Sequence, residues 1–314
     1  YDYLMSHGGP FNIQLSGGEP TVRDDLPQII RLGREKGFKF FQLNTNGVRL
    51  AGDPDYAKTL QEAGLNTVFL QFDGLTDDVY TALRGKPLFD IKQRAIDNCR
   101  KAGLGIVLVP VIAPGINDGQ VGDILNFALK NMPYIRGVHF QPISYFGRCE
   151  QDRPQAPITI PKMLRLIEEQ TKGVMKYADF GGGGAENPYC SFHASYMLKD
   201  DGTLKLLKKK SSSGCCCTTS DDSREFVANQ WDGQGRKVIL PDDEMSETSA
   251  LDEFLEKARK STFAVSGMVF QDAWNLDLDR LKRCYICEMD SEKGMVPFCA
   301  YNLTDTDGKS LYRK

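Results

Sequence analysis

The sequence predicts an α/β fold, a parallel sheet buried between helices, and three observations carry that expectation. Short apolar stretches alternate with amphipathic ones through the first half of the chain. The stretches that read as strands are apolar on both faces, as in sheets covered by helices on each side. Polar residues then recur at the strands' carboxyl ends, namely Glu19, Asn46, Asp73, Asn117 and Gln141. In a barrel of parallel strands those ends share one mouth, where active sites lie. Taken singly, Asn46, Asp73 and Asn117 also read as plain turn residues.

The elements follow in order. In "FNIQLSGGEPTVRDDLPQII", Phe11, Ile13 and Leu15 alternate with Asn12, Gln14 and Ser16, a strand period. Gly17 and Gly18 strip side chains from the strand end, so that a ligand can approach the main chain. Glu19 is placed to accept hydrogen bonds from an ammonium group. Pro20 fixes its own φ and biases Glu19 toward extended backbone. Together these residues point to a small cationic ligand at the strand's carboxyl end. Asp24 and Asp25 open a helix through Leu26, Ile29 and Ile30. "FKFFQLNTNG" is the next strand, followed by a helix from about Asp55 to Ala63, closed by Gly64. "NTVFLQFDG" is a third strand, ending in Asp73 and Gly74; a helix from about Ile91 to Ala102 follows. "GIVLVPVIAPGIND" reads as one buried strand and a turn, "VGDILNFALKNM" as a helix, and "GVHFQPIS" as a strand.

From about Gly147 the character changes, which predicts a barrel over 1–147 and a smaller cysteine-bearing α+β domain over 148–314. A proline-rich connection leads into the amphipathic "PKMLRLIEEQ", and Gly181 to Gly184 form a loop. "YMLKDDGTLKLL" predicts a hairpin turning at Asp201-Gly202. Residues 208–224 read as loop, a helix is expected from Ser249 to Lys260, and the cysteine-bearing tail ends in another hairpin.

The chain has 314 residues, 41% hydrophobic, with a formal net charge of −3 and a sequence pI near 5.8. These values suit a globular protein and give no basic face for nucleic acid. No apolar run approaches the ~20 residues that cross a bilayer. There are 9 cysteines, an odd number with three adjacent at Cys215, Cys216 and Cys217, which is a poor disulfide framework. Thiolates gathered for metal in a reducing, cytoplasmic compartment fit better. Cys284 and Cys287 have the CxxC spacing by which a tight turn presents two thiolates to one ion. Cys299, Cys190 and one of Cys215 to Cys217 are available to complete a site; iron–sulfur, zinc and free thiols all stay open. Cys99 reads as a small core residue. His139 reads either as a barrel-facing acid or base or as a packed histidine, and His193 as a ligand or a packed residue. His7 is expected at the surface.

"LSGGEP", "LNTNG" and "QFDG…YTALRG" resemble, in spacing and order, the second, third and fourth strand ends of the radical S-adenosylmethionine (radical SAM) superfamily. That resemblance implies a partial (β/α)6 TIM-type barrel. It implies that Gly17, Gly18, Glu19 and Pro20 bind the methionyl amino group of S-adenosylmethionine. It further implies that Asn46, Asp73 and Gln141 help hold the ribose or carboxylate. The superfamily's CxxxCxxC motif is not in this sequence; it is expected upstream of Tyr1, in a segment missing from the chain. "NPYCSFHASYML", "CCC" and "MVPFCAYNLTDTDGKSLYR" are similar to the tail of the subgroup holding tetraether lipid synthase, dihydropterin methylase-like enzymes and radical SAM (seleno)proteins. This second resemblance implies an auxiliary [4Fe–4S] cluster, with Cys190, Cys215, Cys284, Cys287 and Cys299 as candidate ligands.

The activity so implied is reductive cleavage of S-adenosylmethionine at a [4Fe–4S] cluster, fed by a low-potential electron donor. The resulting 5′-deoxyadenosyl radical takes hydrogen from a small-molecule, lipid or peptide substrate, possible outcomes being methylation or carbon–carbon coupling. Such chemistry wants a closed, dry chamber, for which the cysteine-rich half would serve as lid. The competing readings are a zinc-stabilised binding or scaffold protein and a non-radical barrel aldolase or isomerase. The latter would want a Schiff-base lysine or a metal trio at the strand ends, and neither is visible in the sequence.

Overall fold

The computed structural model describes residues 1–145, 157–182, 187–207, 220–231, 260–305 and 309–312. After the short helix α1 (Asp2–Ser6), strands and helices alternate as expected: β1 (Ile13–Leu15), α2 (Leu26–Glu35), β2 (Phe41–Thr45), α3 (Val48–Gly52) and α4 (Pro54–Ala63), β3 (Thr67–Gln71), α5 (Asp77–Arg84) and α6 (Phe89–Lys101), β4 (Gly105–Val109), β5 (Val111–Ile112), α7 (Val121–Lys130) and β6 (Ile135–Pro142). The neighbouring pairs β1–β2, β2–β3, β3–β4, β4–β6 and β5–β6 are all parallel. This is the expected α/β class, with the strand–helix order of a (β/α) barrel.

Both faces of the central strands are covered, which is why their sequences carry no polar alternation. Beyond one face, Phe72 stacks on Phe127 of α7 with ring centroids 5.1 Å apart. On the other, Phe69 joins Phe40, Val107, Val109, Ala264 and Trp231 in a buried cluster. The stretch expected as one strand from residue 105 is two, because Pro110 has no N–H for the ladder and separates β4 from β5.

Beyond β6 come α8 (Ile160–Gln170), β7 (Ser191–Leu198), β8 (Leu204–Leu206), α9 (Ser220–Trp231), β9 (Thr262–Met268), β10 (Cys287–Asp290) and β11 (Gly294–Pro297). The two expected hairpins form: β7 pairs antiparallel with β8 around Asp201-Gly202, and β10 with β11. In the first, Asp201 Oδ1 accepts from Thr203 N at 2.8 Å and Thr203 Oγ1 at 2.6 Å. The loop expected over 208–224 is helical from Ser220, because Val227, Ala228 and Trp231 find the Phe69 cluster to pack on. Residues 208–219, and the expected helix from Ser249 apart from Lys260, lie outside the described residues. Strand β9 is not anticipated by the sequence reading, yet the hydrogen-bonded order is β1-β2-β3-β4-β6-β9-β7-β8. Among the described residues no helix is long and apolar enough to cross a membrane.

Contacts divide the chain into two compact units. One comprises residues 1–110, 123–139 and 195–265; the other 111–122, 140–194 and 266–314.

Candidate functional site

In the first unit the carboxyl ends of β1, β2 and β3 fall on one edge, because parallel neighbours run the same way. Past Leu15 the chain leaves the ladder, and Gly17 takes φ +130°, a conformation side chains resist. A Cβ at Gly17 or Gly18 would meet nothing within 4 Å. The main chain there is exposed, flanked by open space, and makes no hydrogen bond to the rest of the described chain.

Glu19 is extended (φ −140°, ψ 107°), as a residue before proline should be, and caps the one-turn 3-10 helix Pro20–Val22. Its half-buried carboxylate is tied to two strand ends. Oε1 accepts from Thr21 N at 3.1 Å, Thr21 Oγ1 at 2.6 Å and Thr45 Oγ1 at 2.7 Å. Among the described residues Oε2 accepts only from Asn46 N, at 2.7 Å. Oε1 thus carries three donors and Oε2 one, so Oε2 is the less occupied oxygen and the one that a further donor can approach. The Asn46 side chain serves its own turn, Oδ1 accepting from Val48 N at 2.9 Å.

Asp73 is fully enclosed (0% exposed), and Arg84 holds it with Nε at 2.8 Å from Oδ2 and Nη2 at 3.1 Å from Oδ1. Gln71 Nε2 also donates to Oδ2, at 2.8 Å. Arg84 and Gln71 thus stand on the Asp73 carboxylate. Lys92 is equally buried; its Nζ donates to Asn46 O at 2.5 Å and lies 3.4 Å from Gln71 Oε1. Burial pushes its ammonium down to about 8, although Asp73 and Glu19 pull the other way. Asn117 is used internally, its Nδ2 donating to Val111 O and its Oδ1 accepting from Ala113 N. His139 lies 6.0 Å from the Phe69 ring, and His7 is exposed.

Gln141 belongs to the second unit, half-buried on β6 in register with Val111. The same unit contains a cavity lined by Cys190, Cys284, Cys299, Arg280 and Arg283 among apolar neighbours. Arg280 Nη2 donates to Cys190 Sγ at 3.2 Å, and Gln271 N to Cys299 Sγ at 3.2 Å. Burial raises the thiols of Cys284 and Cys287 and brings Cys299 up to about 11. Cys287 is exposed at the start of β10, while Cys215 lies outside the described residues. Among the described residues no three of His, Cys, Asp and Glu are gathered as a metal ion would need. Cys99 is a buried core residue, its thiol pushed up to about 12 by burial.

The comparisons with known proteins bear on this edge of the sheet. The Radical SAM superfamily model matches residues 4–128, a span that contains β1 to β4 and every residue of the Glu19 and Asp73 networks. The chain belongs to the radical SAM superfamily. It is 35% identical over 339 residues to 7,8-dihydro-6-hydroxymethylpterin dimethyltransferase of Methanocaldococcus jannaschii, covering 92% of this chain and 66% of that protein. It is 30% identical over 207 residues to GTP 3′,8-cyclase of Alkaliphilus oremlandii, covering 62% of this chain and 63% of that protein. The chain thus spans about two thirds of the length of these curated relatives. A solved domain of pyruvate-formate lyase-activating enzyme from Bacteroides vulgatus overlays on 53% of this chain and 97% of its own at a TM-score of 0.40, with 11% identity.

The radical SAM superfamily uses S-adenosylmethionine and a [4Fe–4S] cluster, and the two fit this chain differently. The open main chain at Gly17 and Gly18, beside the less occupied carboxylate oxygen, fits the ammonium end of the first. For the cluster, the described residues offer no gathered ligand set. Sequence reasoning missed Thr45, Gln71, Arg84 and Lys92. Lys92 had one usable signal: it stands on the apolar stripe of α6, three residues past Phe89 and four before Ile96, where a charge is out of place.

Proposed function

We propose that the chain forms the S-adenosylmethionine-binding part of a radical SAM enzyme, with Gly17 to Pro20 as the clasp for the cofactor's methionyl end. The observation that carries this is Glu19, held by Thr21, Thr45 and Asn46 with Oε2 the less occupied oxygen, beside a main chain without side chains. A charge-assisted hydrogen bond from an ammonium completes that carboxylate. Asn46 then lies next to the ligand, and Arg84 offers a cation where Asp73 itself is enclosed. Gln141 is likewise proposed to help hold the ribose or carboxylate of the cofactor. When bound, the cluster and S-adenosylmethionine supply one-electron cleavage of a C–S bond and hydrogen abstraction from substrate, fed by a low-potential donor. The chain's own part is to bind, orient and keep out water.

Cys190, Cys284, Cys287 and Cys299, with Cys215, are proposed as ligands of an auxiliary cluster, on the CxxC spacing of Cys284 and Cys287. The closeness to a protein named as a pterin dimethyltransferase supports methyl transfer to a small molecule over coupling of lipid chains. The decisive preparation is the natural full-length protein, purified without oxygen, assayed for iron and sulfide, and given dithionite and S-adenosylmethionine. Formation of 5′-deoxyadenosine is expected. Iron-loaded protein that forms none sinks the proposal.

A further inference from the structure

We infer that Lys92 is a positioning residue for the Glu19 clasp: from the buried face of α6 it grips the Asn46 carbonyl, fixing from behind the residue whose amide holds Glu19. The functional half of this rests on Gly17 to Pro20 being the cofactor clasp; the mechanical half stands on contacts alone.

Asn46 is pinned on both sides of its Cα. Its N donates to Glu19 Oε2 at 2.7 Å, and its carbonyl accepts from Lys92 Nζ at 2.5 Å. Gln71 Oε1 lies 3.4 Å from the same ammonium, and Gln71 Nε2 donates to Asp73, whose two oxygens hold Arg84. One line of contacts therefore runs from Arg84 at the end of α5 to Glu19 past β1, crossing three strand ends. Lys92 is its link between the second strand and the third. The turn it braces continues into Gly47, at φ +77°, where a Cβ would meet Leu70 Cδ1 at 2.5 Å.

Stability alone gives no reason for a charge at this position. A lone buried ammonium is penalised, and an apolar side chain of similar volume commonly replaces buried charge without loss. The groups facing Lys92 are Asp73 and Glu19, which favour its charge, and Arg84 and Lys86, which oppose it. The ring of Tyr80 lies 5.8 Å from Nζ. Burial outweighs the favourable pair and brings the ammonium down to about 8, so its charge changes within the working range of an enzyme.

Hydrogen exchange on the full-length protein reads the brace directly. In Lys92→Met, exchange at Asn46 is expected to quicken at least ~10-fold while peptides of β4 stay unchanged, because local opening follows lost local contacts. Should the Met variant fail to fold, Lys92→Gln takes the same measurement. Calorimetry of S-adenosylmethionine binding to the anaerobically reconstituted protein reads the functional half. Affinity is expected to fall ~10–100-fold in Lys92→Met, as small misplacement of a binding group does, with the thermal midpoint level or raised. Lys92→Arg, whose charge does not titrate, is expected to restore most of the affinity and abolish an inflection near pH 8 seen in the wild type. Equal exchange at Asn46 in wild type and variant overturns the inference. So does an affinity loss that merely tracks a falling thermal midpoint, which would make Lys92 a packing residue. Faster exchange in a protein whose wild type binds no S-adenosylmethionine leaves the brace standing and removes the clasp reading.

Discussion

Four donors converge on the Glu19 carboxylate, three of them from the two buried threonines Thr21 and Thr45. Glu19→Ala strands the Thr21 and Thr45 hydroxyls and the Asn46 amide. A loss of about 1–3 kcal/mol in urea unfolding is expected, the usual penalty for unsatisfied buried donors. An unchanged urea midpoint would mean that the Glu19 network does not form. Lys92 gives a pH signature of the opposite kind to a surface lysine. Its folded value, about 8, lies below the ordinary 10.5. Between those two values the unfolded chain binds more protons, so stability rises with pH through that window and is lost as pH falls through about 8. Stability curves of wild type and Lys92→Met are therefore expected to converge as pH climbs from 8 to 10.5. Parallel curves would show that Lys92 titrates normally. The local signals for Glu19 and Asn46 are strong because glycine and proline restrict backbone within a few residues. Lys92 and Arg84 act across more than ten residues of sequence, and nothing local marks a lysine as enclosed.

At the scale of elements, close backbone approach fixes β6 against β9. A Cβ on Gly137 would lie 2.1 Å from the carbonyl oxygen of Ala264 and 2.9 Å from the Trp231 ring. The first obstacle is main chain and cannot rotate away. Gly137→Ala is expected to destabilise by about 3 kcal/mol or more, at the upper end of overpacking penalties. Gly52, at the end of α3, is the control: nothing stands within 4 Å of its Cβ position. Gly52→Ala is expected to be neutral or to stabilise by about 0.5–1 kcal/mol, as alanine does in helices. Thermal scans of the two variants decide the matter, and equal midpoints would place β6 and β9 farther apart than described. Strand-and-helix alternation up to β6 is legible because each element carries its own period. Strand β9 and helix α9 are not, since Ala264 and Trp231 are called into order by Phe69, Val107 and Val109, far away in sequence.

At the scale of the whole molecule, the proposed auxiliary cluster makes iron content the quantity that tests the tail cysteines. Cys284→Ser combined with Cys287→Ser is expected to lower iron per chain in anaerobically reconstituted protein, with 5′-deoxyadenosine still formed from S-adenosylmethionine. Iron unchanged from wild type would free these thiols of any ligand role. Their spacing is plain in the sequence, whereas their partners are not, because Cys190 and Cys299 come from segments about a hundred residues apart. The strand order carries one more consequence. β9 lies between β6 and β7, although it follows both in the chain. During synthesis the flank of β6 must therefore wait, unzipped, until Thr262 and its successors have left the ribosome. A gene fragment halted at residue 147 would leave that flank raw for good, an invitation to clumping. Expression trials that stop there should yield inclusion bodies rather than a smaller working enzyme.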